Sequence, residues 1–325
     1  MSEFRTKINI PKSDFKINHE DKIFLIGSCF SDNIGQQLYN SGFNVEINSF
    51  GTLYNPVSIS NSLKIITRQL EIKKDDLVFH EDLWKSFYHY SSFNSANETA
   101  LISKINDKIN YVEYFLKSSK YLVITFGTAW VYRYLKTNKI VSNCHKIPSN
   151  EFSRELLTVA EIIETYTELI NSLIKYNPEL KVIFSVSPIR HLKDGNFGNQ
   201  VSKSTLILAI NSLIKNFSCC SYFPAYEIFM DDLRAYRFYA DDMIHPSQIG
   251  VNYVWEKFIG SLMSKETIQI IAEVEKLNKA VTHRVIDKNS ESYQKFITQI
   301  KAKVNELEKN NPRLNLESIK RNFNL

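Results

Sequence analysis

The segment GSCF at residues 27–30 places a serine beside a cysteine, directly after a run of apolar residues. Either side chain is a potential nucleophile once a base removes its proton. Far along the chain, the segment ADDMIHPS at residues 240–247 contains Asp242 and His245, three residues apart. That spacing allows the carboxylate to hold one imidazole nitrogen while the other faces a substrate. Ser28, His245 and Asp242 would then supply a nucleophile, a base and an orienting acid.

The elements that must position these groups follow from the apolar pattern. Short apolar runs predict five strands, at residues 22–27, 43–47, 121–127, 181–187 and 219–226. The segments between them show helical periodicity, and we expect helices to begin near Ser31, after a Thr158–Glu161 capping box, and at Pro246. Strands alternating with helices predict a three-layer α/β/α domain with a doubly wound, mostly parallel sheet. Ligands bind such sheets outside the carboxyl ends of the strands, which is where Ser28 would lie.

The chain of 325 residues divides by composition into two parts. Residues 1–264 form the predicted α/β domain, and residues 50–115 fit its alternation poorly. Within this insertion, residues 50–70 predict a loop and then a helix, and the aromatic-rich residues 77–93 predict either a hairpin or an irregular segment. Residues 265–325 predict a C-terminal helical extension with two apolar stripes, formed by Ile271, Val274, Leu277 and Val281 and by Phe296, Ile300, Val304 and Leu307. These helices either pack on the main domain or pair with a second subunit, so the chain would be a monomer or a dimer.

Composition argues against several classes of partner. The net charge of +5 comes from 40 basic and 35 acidic residues without a clustered basic run, so we expect no nucleic acid. No apolar run approaches the ~18–20 residues that span a membrane, and the first residues lack the apolar core of a secretory signal. Four cysteines in a chain of this length indicate a reducing, cytoplasmic location rather than a disulfide framework. His80, Glu81 and His89 lack the spacing of a metal site, and we expect neither metal nor cofactor.

The Gly-Ser after the first strand and the late Asp-x-x-His resemble the SGNH/GDSL hydrolase superfamily. The lettering GSCF resembles, more narrowly, the GSCFA-domain family within it, from which residue 31 departs by carrying serine in place of alanine. Further blocks agree in order over roughly residues 20–260, namely FGTLYNP (50–56), FGTAWVY (126–132), NCHK (143–146), SPIRH (187–191) and DDLRAYRFYADDMIHPS (231–247). The resemblance implies an SGNH-like fold, with Ser28 as nucleophile, His245 as base and Asp242 as acid.

The superfamily's oxyanion hole is implied only in part. The resemblance assigns backbone N–H donors to Ser28 and Gly51, and it expects an asparagine where this chain has Ala129. Alanine has no donor, so the Thr128 hydroxyl, backbone amides or side chains from other blocks must complete the hole. The same blocks supply candidates for the substrate pocket, some of which are equally compatible with structural roles: Trp130, Asn143, His145, Arg190 and His191.

The implied activity is hydrolysis of a carboxylic ester, with de-O-acylation of a carbohydrate-like small molecule preferred because the expected rim combines aromatic and polar side chains. Three alternatives remain open. The same triad supports O-acyl transfer, Cys29 is a second potential nucleophile with His145 or His245, and the missing asparagine is compatible with an inert binding module. A nucleotide-binding Rossmann protein is disfavoured because GSCFSDNIG lacks the G-x-G-x-x-G glycines.

Overall fold

A computed structural model describes residues 7–281 and 290–323. The strands are β1 Lys22–Gly27, β2 Asn44–Ile47, β3 Leu77–His80, β4 Leu83–Ser86, β5 Tyr121–Phe126, β6 Trp130–Tyr134, β7 Lys139–Val141, β8 Phe152–Leu156, β9 Lys181–Val186 and β10 Cys220–Phe223. The helices are α1 Cys29–Asn40, α2 Pro56–Thr67, α3 Glu98–Lys117, α4 Val159–Tyr176, α5 Gly195–Asn216, α6 Ala225–Glu227, α7 Gln248–Leu262, α8 Lys265–Val281, α9 Glu291–Asn310 and α10 Glu317–Phe323.

The central sheet is wholly parallel, with the strand order β2-β1-β5-β9-β10. All five predicted strands are confirmed, although β10 ends at Phe223 and the chain then turns at Pro224 into α6. The order runs outward from β1 to β2 and then restarts at β5 on the other side of β1. This reversal leaves a crevice between the carboxyl ends of β1 and β5, the usual ligand position in an open α/β sheet.

Helices cover both faces of the sheet because strand side chains alternate between them. In β1, Phe24 and Ile26 pack in the cluster that includes residues of α2, α3, α4 and α5. Ile23 and Leu25 pack in the opposite cluster, which includes residues of α1 and α7. The predicted three-layer α/β/α architecture is therefore confirmed.

The segment at residues 50–115 is more regular than its sequence predicts. It forms α2, where a helix after a loop is expected, the β3–β4 hairpin that was one of two alternatives, and the 20-residue helix α3, which was not predicted. A second sheet, β7-β6-β8, is antiparallel and was not predicted. Its strands are short and follow one another through polar turns, so their apolar pattern is weak.

Two predicted helix starts shift by a few residues. α1 begins at Cys29 rather than near Ser31, with Ser28 as its N-cap. α7 begins at Gln248 with Ser247 as N-cap, so Pro246 precedes the helix instead of opening it. The capping box of Thr158 with Glu161 is confirmed at the start of α4.

The C-terminal helices bury their apolar stripes within the chain. Val274 of α8 and Val304 of α9 lie in one cluster with Leu316 and Ile319, while the side chain of Val281 lies outside the described part. The Asn315 N–H donates to the Gly42 carbonyl, which ties this region to the α/β domain. The division at residues 264/265 and dimerisation through these helices both stay predictions. No helix among the described residues is long and apolar enough to cross a membrane.

Candidate active site

Ser28 lies where β1 gives way to α1, at the crevice of the central sheet. Its backbone is extended, with φ −68° and ψ 173°, and its Oγ accepts a hydrogen bond from the Phe30 N–H at 3.4 Å. The residue is only 1% exposed. A hydroxyl at a helix N-terminus is close to unpaired N–H groups and to the positive end of the helix dipole, both of which favour negative charge.

Gly27 sets this position by allowing β1 and β5 to approach closely. Its φ is +142°, and a Cβ on it would lie 2.2 Å from the Thr125 carbonyl oxygen. No side chain fits at that distance, so glycine is a packing requirement here. The Ser28 N–H donates to the same Thr125 oxygen at 3.1 Å.

Asp242 and His245 form a tight pair on a short loop. Asp242 Oδ2 lies 2.5 Å from His245 Nδ1, and Oδ1 accepts the N–H groups of Ile244 and His245 at 2.9 Å each. These hydrogen bonds lower the pKa of Asp242 to about 2, and the bond from the His245 side chain has the largest effect. The carboxylate is thus ionised at neutral pH and holds the ring through Nδ1, so Nε2 is the ring nitrogen that can exchange a proton with another group.

The loop that carries this pair is closed by its own backbone and faces outward. The Ala240 N–H donates to the His245 carbonyl, and Met243 adopts a left-handed φ of +59°. The His245 side chain is 53% exposed, whereas Ser28 is nearly covered. Within residues 7–281 and 290–323, no hydrogen bond joins Ser28 to His245. The structure therefore pairs the acid with the base, and in its described part this pair has no hydrogen bond to Ser28.

The three candidate oxyanion donors already have partners in the protein. The Ser28 N–H bonds the Thr125 carbonyl, and the Gly51 N–H bonds the Asn48 carbonyl at 2.7 Å. The Thr128 hydroxyl lies 3.0 Å from the Ser202 hydroxyl and is buried. Each donor would have to share or exchange its present partner to bind an oxyanion.

Cys29 is the first residue of α1 and is half-buried. Burial raises the pKa of its thiol, and the negative charge of Asp32 raises it further. A raised pKa lowers the thiolate fraction at neutral pH, and the thiolate is the reactive form. Asp32 is itself held by hydrogen bonds from Asn48 Nδ2 and the Thr52 hydroxyl.

Two of the predicted pocket residues lie beside cavities on the His245 side. Arg190 is exposed and lines a cavity of about 500 Å³ together with Asp242, Tyr236 and Tyr239. His191 packs edge-on against the Tyr54 ring, with 5.7 Å between centroids. Burial, and then the charge of Lys203, lower the pKa of His191 to about 4, so its ring is neutral.

The other predicted pocket residues are engaged elsewhere. His145 is buried and donates from Nε2 to the Ser86 carbonyl at 2.7 Å. Asn143 accepts the His145 N–H within its own turn. The Trp130 ring lies under the Arg154 guanidinium, 4.3 Å from its centroid. Structural roles account for the contacts of these three side chains.

A polar pair on α5 was missed by the sequence reasoning. Ser202 accepts the Ala129 N–H and contacts the Thr128 hydroxyl, and Lys203 donates to the carbonyls of Gly127 and Ser187. The available signal was a lysine three residues before Leu206, inside the apolar stripe of this helix. Among the described residues, no group of three or more His, Cys, Asp or Glu side chains is arranged to hold a metal ion.

The fold and these residues define a three-layer α/β protein with a serine at the carboxyl end of its first strand and an Asp–His pair on a late loop. Residues 22–258 match the GSCFA family, and residues 274–325 match the GSCFA domain protein C-terminal domain. The chain belongs to the GSCFA family. No curated protein matches it in sequence.

Several solved structures share a remote similarity with the chain. A family 3 carbohydrate esterase of Clostridium thermocellum has a TM-score of 0.36 at 9% identity, covering 78% of this chain and 97% of that one. A family 2 carbohydrate esterase of Corynascus thermopiles, with a carbohydrate binding domain, has a TM-score of 0.40 at 11% identity over 78% and 68%. An acetyl xylan esterase of Butyrivibrio proteoclasticus has a TM-score of 0.38 at 10% identity over 81% and 66%.

Proposed function

We propose that this protein is a serine hydrolase of the SGNH type that cleaves carboxylic esters through Ser28, His245 and Asp242. The observation that carries the proposal is the Asp242–His245 pair, in which one carboxylate accepts hydrogen bonds from His245 Nδ1–H and from two backbone N–H groups. This arrangement fixes the tautomer that a general base needs. The position of Ser28 at the N-terminus of α1 supports its role as nucleophile.

In this mechanism Ser28 Oγ attacks the ester carbonyl while His245 Nε2 takes the hydroxyl proton. The oxyanion forms at the positive end of α1, and the N–H groups of Ser28 and Gly51 exchange their carbonyl acceptors for it. His245 then protonates the leaving alcohol, and water attacks the acyl-enzyme with His245 again as base. Proton transfer requires Ser28 Oγ and His245 Nε2 to come within hydrogen-bond distance, a contact that the described part of the structure does not show.

Ser28 is the better nucleophile of the adjacent pair for two reasons. Its hydroxyl caps α1, whereas the Cys29 thiol has a pKa raised by burial and by Asp32.

The aromatic and arginine lining of the cavity beside Asp242 favours a polar, carbohydrate-like ester. The four cysteines are free, which favours a reducing compartment such as the cytoplasm.

O-acyl transfer is a second candidate, favoured by the 1% exposure of Ser28. A nucleophile shielded from water gives an acceptor alcohol the advantage in releasing the acyl group. The two reactions share the acyl-enzyme and differ in its fate. Turnover of an aryl acetate with added monosaccharide separates them, because transfer yields an acetylated sugar and hydrolysis yields acetate.

A fluorophosphonate probe tests the proposed nucleophile. We expect it to label the wild-type protein and Cys29→Ala, and to leave Ser28→Ala unlabelled. Labelling of Ser28→Ala but not of Cys29→Ala would transfer the nucleophile to Cys29. A folded wild-type protein without any labelling would contradict the enzyme and favour an inert binding module.

A further inference from the structure

Lys203 is a buried cation next to the proposed active site. It lies on the buried face of α5, three residues before Leu206, and is 0% exposed. Its ammonium donates to the Gly127 carbonyl at 2.6 Å and to the Ser187 carbonyl at 2.7 Å. No carboxylate among residues 7–281 and 290–323 lies within ion-pair distance of it. Burying a charge with neutral partners is costly, so a lysine at this position requires an explanation.

The two carbonyls belong to the carboxyl ends of β5 and β9. Gly127 opens the turn 127–129, which follows β5 and borders the crevice beside β1. This turn is also where the resemblance expects an asparagine and the chain has Ala129. Ser202, the neighbour of Lys203, accepts the Ala129 N–H at 2.8 Å. Two consecutive residues of α5 therefore hold this turn, together with the Tyr54 carbonyl, which accepts the Gly127 and Thr128 N–H groups.

The charge of Lys203 reaches the residue next to the proposed nucleophile. It lowers the pKa of the Cys29 thiol against the larger effect of burial, and a Cys29 thiolate would in turn raise the pKa of Lys203. Asp194 and His191 also interact with Lys203 by charge, and the Tyr226 ring lies 5.8 Å from its ammonium. Because the carbonyl partners are neutral and Asp194 forms no ion pair with Lys203, the protonated ammonium keeps a net positive charge that acts through the protein interior.

We propose that Lys203 is a positioning residue for the reaction at Ser28: it holds the turn 127–129 in place and supplies the positive potential for the oxyanion that the absent asparagine would otherwise help to bind. This inference rests on the proposed function. Lys203 acts through the turn and through its field, since it is buried and does not contact substrate. Its effect belongs to the charged transition state and not to binding of the neutral ester.

The test compares wild-type protein with Lys203→Met at about pH 6, where the Lys203 ammonium is protonated; the variant keeps the length of the side chain without its charge. We expect the rate at which a fluorophosphonate labels Ser28 to fall about 100-fold, as for loss of one oxyanion donor. With 4-nitrophenyl acetate, kcat falls by a similar factor while KM stays within about threefold. The matched control is Lys120→Met, which removes a lysine at the amino end of β5, where it pairs with Asp21; its rates stay at the wild-type level.

A second variant separates the charge from structural support. Lys203→Gln keeps one neutral donor for the carbonyls, and we expect it to fold, as judged by thermal unfolding, and to react as slowly as Lys203→Met. Wild-type rates in either folded variant would overturn the inference while leaving the proposed function intact. A Lys203→Gln protein that fails to fold would assign the lysine to stability and overturn the inference as well. An unlabelled wild-type Ser28 would instead refute the proposed function, and this inference with it.

Discussion

The buried ammonium of Lys203 predicts a specific dependence of stability on pH. Burial lowers the pKa of this lysine to about 7 in the folded protein, whereas a lysine in an unfolded chain titrates near ~10.4. Between these two values the unfolded chain holds one more proton than the folded protein. The free energy of unfolding of the wild-type protein therefore rises as pH increases through this interval.

Substitution of Lys203 by methionine removes this titration, so the difference between the two proteins gives the contribution of Lys203 to the free energy of unfolding. Relative to Lys203→Met, the wild-type protein gains about 2 kcal/mol of unfolding free energy between about pH 7 and pH 9. Below about pH 6 both states hold the proton, so the difference between the two proteins becomes constant. Relative to the wild-type protein, Lys203→Met is most stable at low pH, because only the wild-type protein then has to bury a charged ammonium.

Urea denaturation of both proteins at about pH 6, 7, 8 and 9 measures this difference. Equal m values in the two proteins would indicate that both expose the same surface on unfolding. A difference in unfolding free energy that stays the same from about pH 6 to pH 9 would refute the reasoning. It would mean that Lys203 does not change its protonation near neutral pH in the folded protein.

Three further predictions concern the candidate site. Asp242→Asn is expected to lower kcat for 4-nitrophenyl acetate about 10³–10⁴-fold, because an amide does not hold the His245 tautomer; wild-type turnover would exclude the pair from catalysis. Cys29→Ala is expected to keep the esterase rate within about twofold in the same assay, and a large loss would contradict a packing role. Gly27→Ala is expected to destabilise the fold by more than about 3 kcal/mol in urea denaturation, because its Cβ would overlap the Thr125 carbonyl; an unchanged midpoint would show that the strands can separate.

The sequence alone was sufficient for the central sheet and for the elements that carry the candidate triad. Each parallel strand is a continuous apolar run, because both of its faces are buried, and this leaves a strong local signal. The spacing of Asp242 and His245 is also local, and the predicted pairing of their side chains is present in the structure.

The remaining features depend on contacts between distant parts of the chain. That the Gly51 N–H bonds Asn48, and that the Thr128 hydroxyl meets Ser202, follows from how loops pack and not from any pattern of residue types. Lys203 is a charged residue in the apolar stripe of α5. Its burial there is explained by its hydrogen bonds to the Gly127 and Ser187 carbonyls, which follow β5 and β9.

Because β1 and β5 approach closely at Gly27, the first two residues of the motif GSCF are required for different reasons: Gly27 for folding and Ser28 for the proposed reaction. In a saturation-mutagenesis library, nearly every variant at position 27 would fail to fold and would therefore be inactive on any substrate. Changes of Ser28 to other small residues would give folded proteins, since position 28 needs only an extended N-cap. A selection for soluble expression alone would therefore retain Gly27. Retaining Ser28 would also require a selection for catalytic turnover.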